Sequence, residues 1–258
     1  MVEKYKCGCG APRSFGQTDW PGKYFRRCRM ELFNSLCGGL PEPITVLDVG
    51  GTVEFWKESG MFHKLALTLI NVMEQQPLPT VKVIVGDACD LGRFADRSFD
   101  IVFSNSVLGH VGGWERQKQM AGEIRRVGQR YFVQTPNQRF PIDWRTLVPF
   151  FHWLSPSVQS WWLQTIPIGR YGRAANADEA MILATRVRNL VSREVQELFP
   201  EAEVLRERVL GFTKSFIAFH GFDSTHRAGR FGFVPWAEER ELIKRQAPPA
   251  DWKPAQRR

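Results

Sequence analysis

No stretch of the 258 residues approaches the run of about 18 apolar residues that a membrane-crossing helix needs. The first ten residues carry Lys4 and Lys6 but no apolar core behind them. A secretory signal is therefore not expected, and the cytoplasm is the expected location. Cysteine is scarce: Cys7, Cys9, Cys28, Cys37 and Cys89. An odd number in a chain without an export signal points to reduced thiols rather than a disulfide framework. Cys7-Gly8-Cys9 with Cys28 and Cys37 does not match a common zinc spacing, since no second close pair follows, so no metal is expected. Cys28 lies on an apolar helical stripe, where packing explains it. There is no dense Lys/Arg run, no recognisable RNA-binding module and no internal repeat.

What is present is ordinary in amount. Apolar residues make up 43% and charged residues 24%, enough for a substantial core and too apolar for wholesale disorder. The net charge of +8 is unevenly placed. Residues 44–135 carry 10 basic and 10 acidic groups, so the excess lies in the segments on either side. A basic rim around a neutral centre suits either an anionic partner or plain solubility.

Residues 1–22 are rich in Gly and Pro and read as an irregular arm. Phe25, Cys28, Leu32, Phe33 and Leu36 then recur at helical spacing over Lys23–Leu36, with Arg26, Arg27 and Arg29 largely off the stripe. Ile44–Val49, Leu65–Val72, Val81–Val85, Asp100–Phe103 and Arg130–Thr135 are short apolar runs suited to strands buried on both faces. A helix is expected over Trp114–Val127. Such alternation predicts an α/β doubly wound sheet that binds ligands at the carboxyl ends of its strands. Residues 138–190 break the rhythm with a dense set of Phe and Trp, and read as an insertion with helices around Arg145–Leu154, Ser157–Gln164 and Asp178–Leu190. Ser192 opens a short helix, and Ala202–Val209 and Phe212–His220 form a hairpin about Leu210-Gly211. Residues 223–258 form a basic tail, disordered toward its end.

Three motifs carry chemistry. Val46-Leu47-Asp48-Val49-Gly50-Gly51-Thr52 is a strand ending in an acid and a glycine turn, which lets a backbone approach a ligand closely. It is not the dinucleotide G-x-G-x-x-G fingerprint, because Thr52 and Phe55 occupy glycine positions. Asn71 ends the next strand, where nucleotide folds hold a ribose, and Glu74 is an alternative partner. Asp87 follows the third strand, and Ser104 and Asn105 follow the fourth, facing the same cleft, whereas Asp100 reads as structural.

Taken as an ordered set, Val-Leu-Asp-Val-Gly-Gly, Gly-Asp-Ala and Ser-Phe-Asp-Ile-Val-Phe-Ser-Asn-Ser-Val-Leu-Gly-His-Val resemble class I S-adenosylmethionine-dependent methyltransferases, most closely the methyltransferase type 11 group. The likeness spans about residues 23–222. It implies a seven-stranded Rossmann-like sheet with an antiparallel last hairpin. It also implies an arm and helix over 1–43, a catalytic domain over 44–222 whose insertion (about 138–190) forms a cap or lid, and a tail over 223–258. Carried over by position, Asp48, Gly50 and Gly51 would hold the methionine part of S-adenosyl-L-methionine, Asn71 its ribose, and Asp87 and Ala88 its adenine. Ser104 and Asn105 match the motif after the fourth strand. Thr52 and Glu54 replace glycines of the family pattern, Asn71 replaces an acid, and Gly109 replaces the Glu or His that often precedes His-Val.

His110 is the candidate general base, with an ordinary pKa of about 6.5 suited to proton removal near neutrality. His152, Asp143 and Lys214 are weaker candidates, and a solvated strand end is the expected place of Lys214. The expected activity is methyl transfer, by resemblance to oxygen, on a small-molecule, sugar or lipid-linked acceptor, which an anionic group would suit. Two rivals stand beside it: an RNA-directed methyltransferase or nucleic-acid binder, and a non-catalytic protein that keeps the fold. Trp161-Trp162 beside Arg170 and Arg173 would suit a peripheral contact at the inner membrane surface.

Overall fold

The computed structural model describes residues 20–59, 64–76, 78–222 and 233–235. The expectations for Cys7, Cys9, the first part of the arm and most of the tail lie outside these residues. In chain order the elements are α1 (Trp20–Cys37), β1 (Ile44–Val49), α2 (Val53–Ser59), β2 (Leu65–Asn71), β3 (Val81–Val85), β4 (Phe99–Asn105), α3 (Trp114–Val127), β5 (Gly128–Pro136), α4 (Pro156–Thr165), α5 (Ala177–Thr185), α6 (Ser192–Leu198), β6 (Glu203–Val209), β7 (Phe212–His220) and β8 (Phe233–Pro235).

The strands form one sheet in the order β3-β2-β1-β4-β5-β7-β6-β8. The first five run parallel, and β7, β6 and β8 join antiparallel. This is a Rossmann-like, doubly wound sheet with an antiparallel last hairpin, extended by the short β8. The chain order reverses between β1 and β4, so a cleft opens at their carboxyl ends.

Alternation along β1 sorts its side chains between two cores. Ile44 and Val46 join the α1 side with Leu32, Phe33, Leu36 and Trp56. Leu47 and Val49 join the α3 and α6 side with Met120, Ile124, Val195 and Leu198. Phe33 holds α1 to the sheet through edge-on contacts with Phe103 at 5.0 Å and Phe132 at 5.4 Å. Asp100 has the structural role its position suggests: it accepts the Thr45 amide at 2.9 Å and locks β4 to β1 at their starts.

The β6–β7 turn is as short as the sequence implies. Leu210 and Gly211 both take positive φ, 48° and 84°, as a two-residue primed turn requires.

The insertion departs from expectation in detail. Only Phe151–Trp153 forms a helical turn, a 3-10 one, within the expected Arg145–Leu154 helix. Pro149 and the positive φ of Leu147 and Phe150 break that segment. Ser155 caps α4 and Asn176 caps α5 through side-chain oxygens. Phe151, Leu163, Ile168, Ala174 and Ala180 give the insertion a small core of its own.

Candidate active site

The glycine turn after β1 is held from inside. Gly50 has φ +84°, and a Cβ there would lie 2.5 Å from Val107. A Cβ on Gly51 would lie 1.6 Å from the Asp48 carboxylate. Asp48 is fully buried, accepts the Trp56 indole N–H at 2.6 Å through Oδ2, and leaves Oδ1 without a partner. Burial pushes its pKa up to about 7, against the pull of the Trp56 hydrogen bond.

The departures from the family pattern have local causes. Asn71 donates through Nδ2 to the carbonyls of Gly50 at 3.2 Å and Gly51 at 3.0 Å. A carboxylate could not donate these bonds. Gln75 completes the brace by donating to the Gly51 carbonyl at 2.9 Å and accepting the Val53 amide at 3.0 Å. Thr52 accepts the Phe55 amide at 3.3 Å, so it caps α2 where the family has glycine. Glu54 lies in the first turn of α2, where the helix dipole favours an acid. Gly109 is packed beneath residues 187–189: a Cβ would lie 3.2 Å from the Arg188 carbonyl.

The other expected residues divide. Asp87 accepts from Arg116 at 2.6 Å and from the Cys89 amide at 2.9 Å, and these partners hold it below the usual carboxylate range although partial burial opposes them. Ala88 packs into the core on the α3 side. Ser104 departs from its expected place: it is fully buried and its hydroxyl donates to the Val49 carbonyl at 3.1 Å, so its side chain does not face the cleft. Asn105 accepts from the Arg29 guanidinium.

Beyond the end of β4 lies a cavity of about 350 Å³. Its walls come from α1, the β4–α3 connection, the ends of β5 and β7, and the insertion, among them Phe25, His110, Gln134, Phe140 and Trp144. At its rim Ser106 takes a positive φ of 62° and bonds the Gln134 side chain at 2.5 Å. Gln117 on α3 donates to the carbonyls of Leu108 at 3.0 Å and Arg188 at 2.8 Å, which fixes the turn that carries His110.

His110 is exposed to solvent and stands in a concave wall of protein. That enclosure lowers its pKa to about 4; Arg145 and Arg186 push the same way, and Asp143 opposes them. Asp143 and His152 line the same cavity, as does Asn189 with its unpartnered Oδ1. Asp143 is paired with Arg145 and held below the usual carboxylate range despite its burial. The His152 Nε2 lies 3.0 Å from the Gln138 carbonyl.

Two basic residues contradict their expected places. Arg29 is not off the stripe: it is 8% exposed and lies 3.0 Å from Glu207. Lys214 is not at a solvated strand end: its side chain is only 11% exposed, 3.6 Å from Glu207 and 4.2 Å above the Phe25 ring. Sequence reasoning missed Glu207, Gln75, Gln117 and Trp56 as site-forming groups. For Glu207 and Gln117 the available signal was polarity at positions where strand or helix periodicity calls for an apolar residue; Gln75 and Trp56 carried none.

Residues 63–130 match the family model described as the methyltransferase domain. No curated protein matches. Among solved structures, the chain is similar to the 1,6-didemethyltoxoflavin-N1-methyltransferase of Burkholderia thailandensis, with 14% identity, 79% of this chain and 80% of that one covered, and a TM-score of 0.49. It is also similar to an S-adenosylmethionine-dependent methyltransferase of Methanosarcina mazei, with 16% identity, 72% and 95% covered, and a TM-score of 0.45. A third is an S-adenosylmethionine-dependent methyltransferase of Aquifex aeolicus, with 15% identity, 80% and 98% covered, and a TM-score of 0.42.

Proposed function

We propose that this class I S-adenosylmethionine-dependent methyltransferase transfers its methyl group to a hydroxyl oxygen of a small acceptor held in the cavity beyond β4. The observation that carries this reading is the adjacency of two features. A glycine turn with a buried, half-partnered carboxylate ends β1, and an enclosed cavity begins beyond the neighbouring strand.

The residues suit the cofactor. The free Oδ1 of Asp48 is an acceptor for the methionine ammonium, and Gly50 and Gly51 admit close backbone approach. Asn71 shapes that turn and, with the exposed Glu74 beyond β2, marks the ribose end. Asp87, with Ala88 behind it, marks the adenine end. Ser104 supports the cleft by tying β4 to β1, and Asn105 links it to α1. When bound, the sulfonium supplies an electrophilic methyl group. The chain then has to align the acceptor and exclude water.

His110 faces the cavity as a neutral imidazole at pH 7, because its pKa is low. A neutral imidazole accepts a hydrogen bond from the acceptor hydroxyl and orients its lone pair. The hydroxyl proton becomes strongly acidic as the oxygen–carbon bond forms, so even a weak base can take it. The basic excess of the flanking segments suits an anionic acceptor better than RNA, since the sequence carries no recognisable RNA-binding module and no dense Lys/Arg run.

The test is thermal unfolding with and without S-adenosylhomocysteine. The wild type should melt at a higher temperature with saturating ligand, by RT ln(1 + [L]/Kd) in free energy. Asp87→Ala should lose most of that gain. An unchanged melting temperature for the wild type would favour a non-catalytic protein of this fold.

A further inference from the structure

The hairpin β6–β7 carries an irregularity at the floor of the cavity. Glu207 pairs with Ser215 across the hairpin, and Arg208 pairs with Thr213, so Lys214 has no partner across the ladder. It is the extra residue of a β-bulge. Strict alternation would send Ser215 and Lys214 to opposite faces. The bulge turns Lys214 toward α1 instead, as bulges beside active sites re-aim side chains. There it meets the Phe25 ring and the Glu207 carboxylate.

Glu207 is fully buried and is held by three groups: Arg29 at 3.0 Å, Lys214 at 3.6 Å and the Ser215 hydroxyl. Two cations thus share one carboxylate, which leaves one positive charge in excess. Arg29, Lys214 and Ser215 line the cavity, whereas Glu207 lies behind them. The other charged pair on the wall, Arg145 with Asp143, neutralises itself. Among the described residues, no further acid lines the cavity. A buried excess charge is costly unless a counter-ion completes it.

From this geometry we infer that Arg29 and Lys214 form a subsite for a single carboxylate on the methyl acceptor, with Glu207 setting their spacing and Phe25, Phe140 and Trp144 packing the acceptor's apolar body. One excess charge matches a monoanion rather than a phosphate dianion. A guanidinium and an ammonium side by side supply charge-assisted donors to its two oxygens. The volume of about 350 Å³ suits one ring with short substituents. The acceptor class is a hydroxylated aromatic monocarboxylic acid. The assignment of that acid as methyl acceptor rests on the proposed methyl transfer; the carboxylate subsite itself does not.

The experiment is calorimetric binding of matched pairs: para-hydroxybenzoate and para-hydroxyphenylacetate, each against its primary amide. S-adenosylhomocysteine is titrated in parallel. The wild type should prefer the acids by about tenfold or more, the range expected of charge-assisted hydrogen bonds. Lys214→Met leaves Arg29 and Glu207 as a neutral pair and should bring acid and amide to near parity. Lys214→Arg should keep the preference, and S-adenosylhomocysteine affinity should be the same in all three proteins. Equal or weaker binding of the acids by the wild type, no binding of any pair, or an undiminished preference in Lys214→Met would overturn the subsite. An acid preference without S-adenosylhomocysteine binding would support the subsite and overturn the methyl-transfer reading.

Discussion

Asp48 and His110 carry shifts of opposite sense, and each sets a distinct dependence on pH. Asp48 keeps its proton to about pH 7 in the folded chain, whereas an ordinary Asp loses it near 3.8. The folded state therefore binds more protons between these values, and stability falls as pH rises through that window. Asp48→Asn should flatten this slope, as read from urea unfolding at pH 5 and pH 8. An ammonium beside the carboxylate favours its charged form, so S-adenosylhomocysteine binding at pH 7 should release about half a proton per chain. Calorimetry in buffers of different ionisation enthalpy measures that release. His110 runs the other way. Its folded pKa of about 4 lies below 6.5, so its contribution to stability is lost as pH falls through that interval. Proton NMR of the imidazole should place its midpoint near 4. His110→Gln should lower turnover by about a hundredfold or more if the imidazole takes the proton.

Elements differ in how plainly the sequence declares them. The parallel strands were legible because short apolar runs leave few alternatives, although β3, at the sheet edge, buries only Val81 fully. Asp100 and the Leu210-Gly211 turn were legible for local reasons, a strand start and a pair of left-handed residues. The floor of the cavity was not. Lys214 owes its direction to a bulge, and a bulge breaks the period on which strand reading depends. Arg29 is buried because Glu207 waits for it from a strand about 180 residues further on, a pairing no local pattern displays. Asn71 was placed correctly at the end of β2, but its bonds to the Gly50 and Gly51 carbonyls depend on the folded turn.

The same elements fix two further expectations. Gly51→Ala would drive a methyl group into the Asp48 carboxylate, so S-adenosylhomocysteine affinity should fall below detection while far-ultraviolet circular dichroism is retained. Leu163→Ala empties the insertion's own small core and should cost about 2–5 kcal/mol there. Acceptor binding should weaken in that variant, and S-adenosylhomocysteine binding should not.

At the scale of the molecule, the neutral segment 44–135 builds the parallel sheet and the glycine turn, and the basic segments supply the cavity's α1, insertion and hairpin walls. The excess of +8 thus lies in the segments before and after that neutral stretch. Among the described residues no helix is long and apolar enough to cross a membrane. The exposed Trp144, Trp153 and Trp161 belong to the insertion, the part least tied to the sheet core.

The most direct test of cofactor binding at the carboxyl ends of β1 to β4 is amide hydrogen exchange with and without S-adenosylhomocysteine. Slower exchange is expected at residues 48–53, 71–75, 86–89 and 104–110, with little change along α5 and β6. Unchanged exchange at 48–53 under saturating ligand, or protection confined to other parts of the chain, would contradict it.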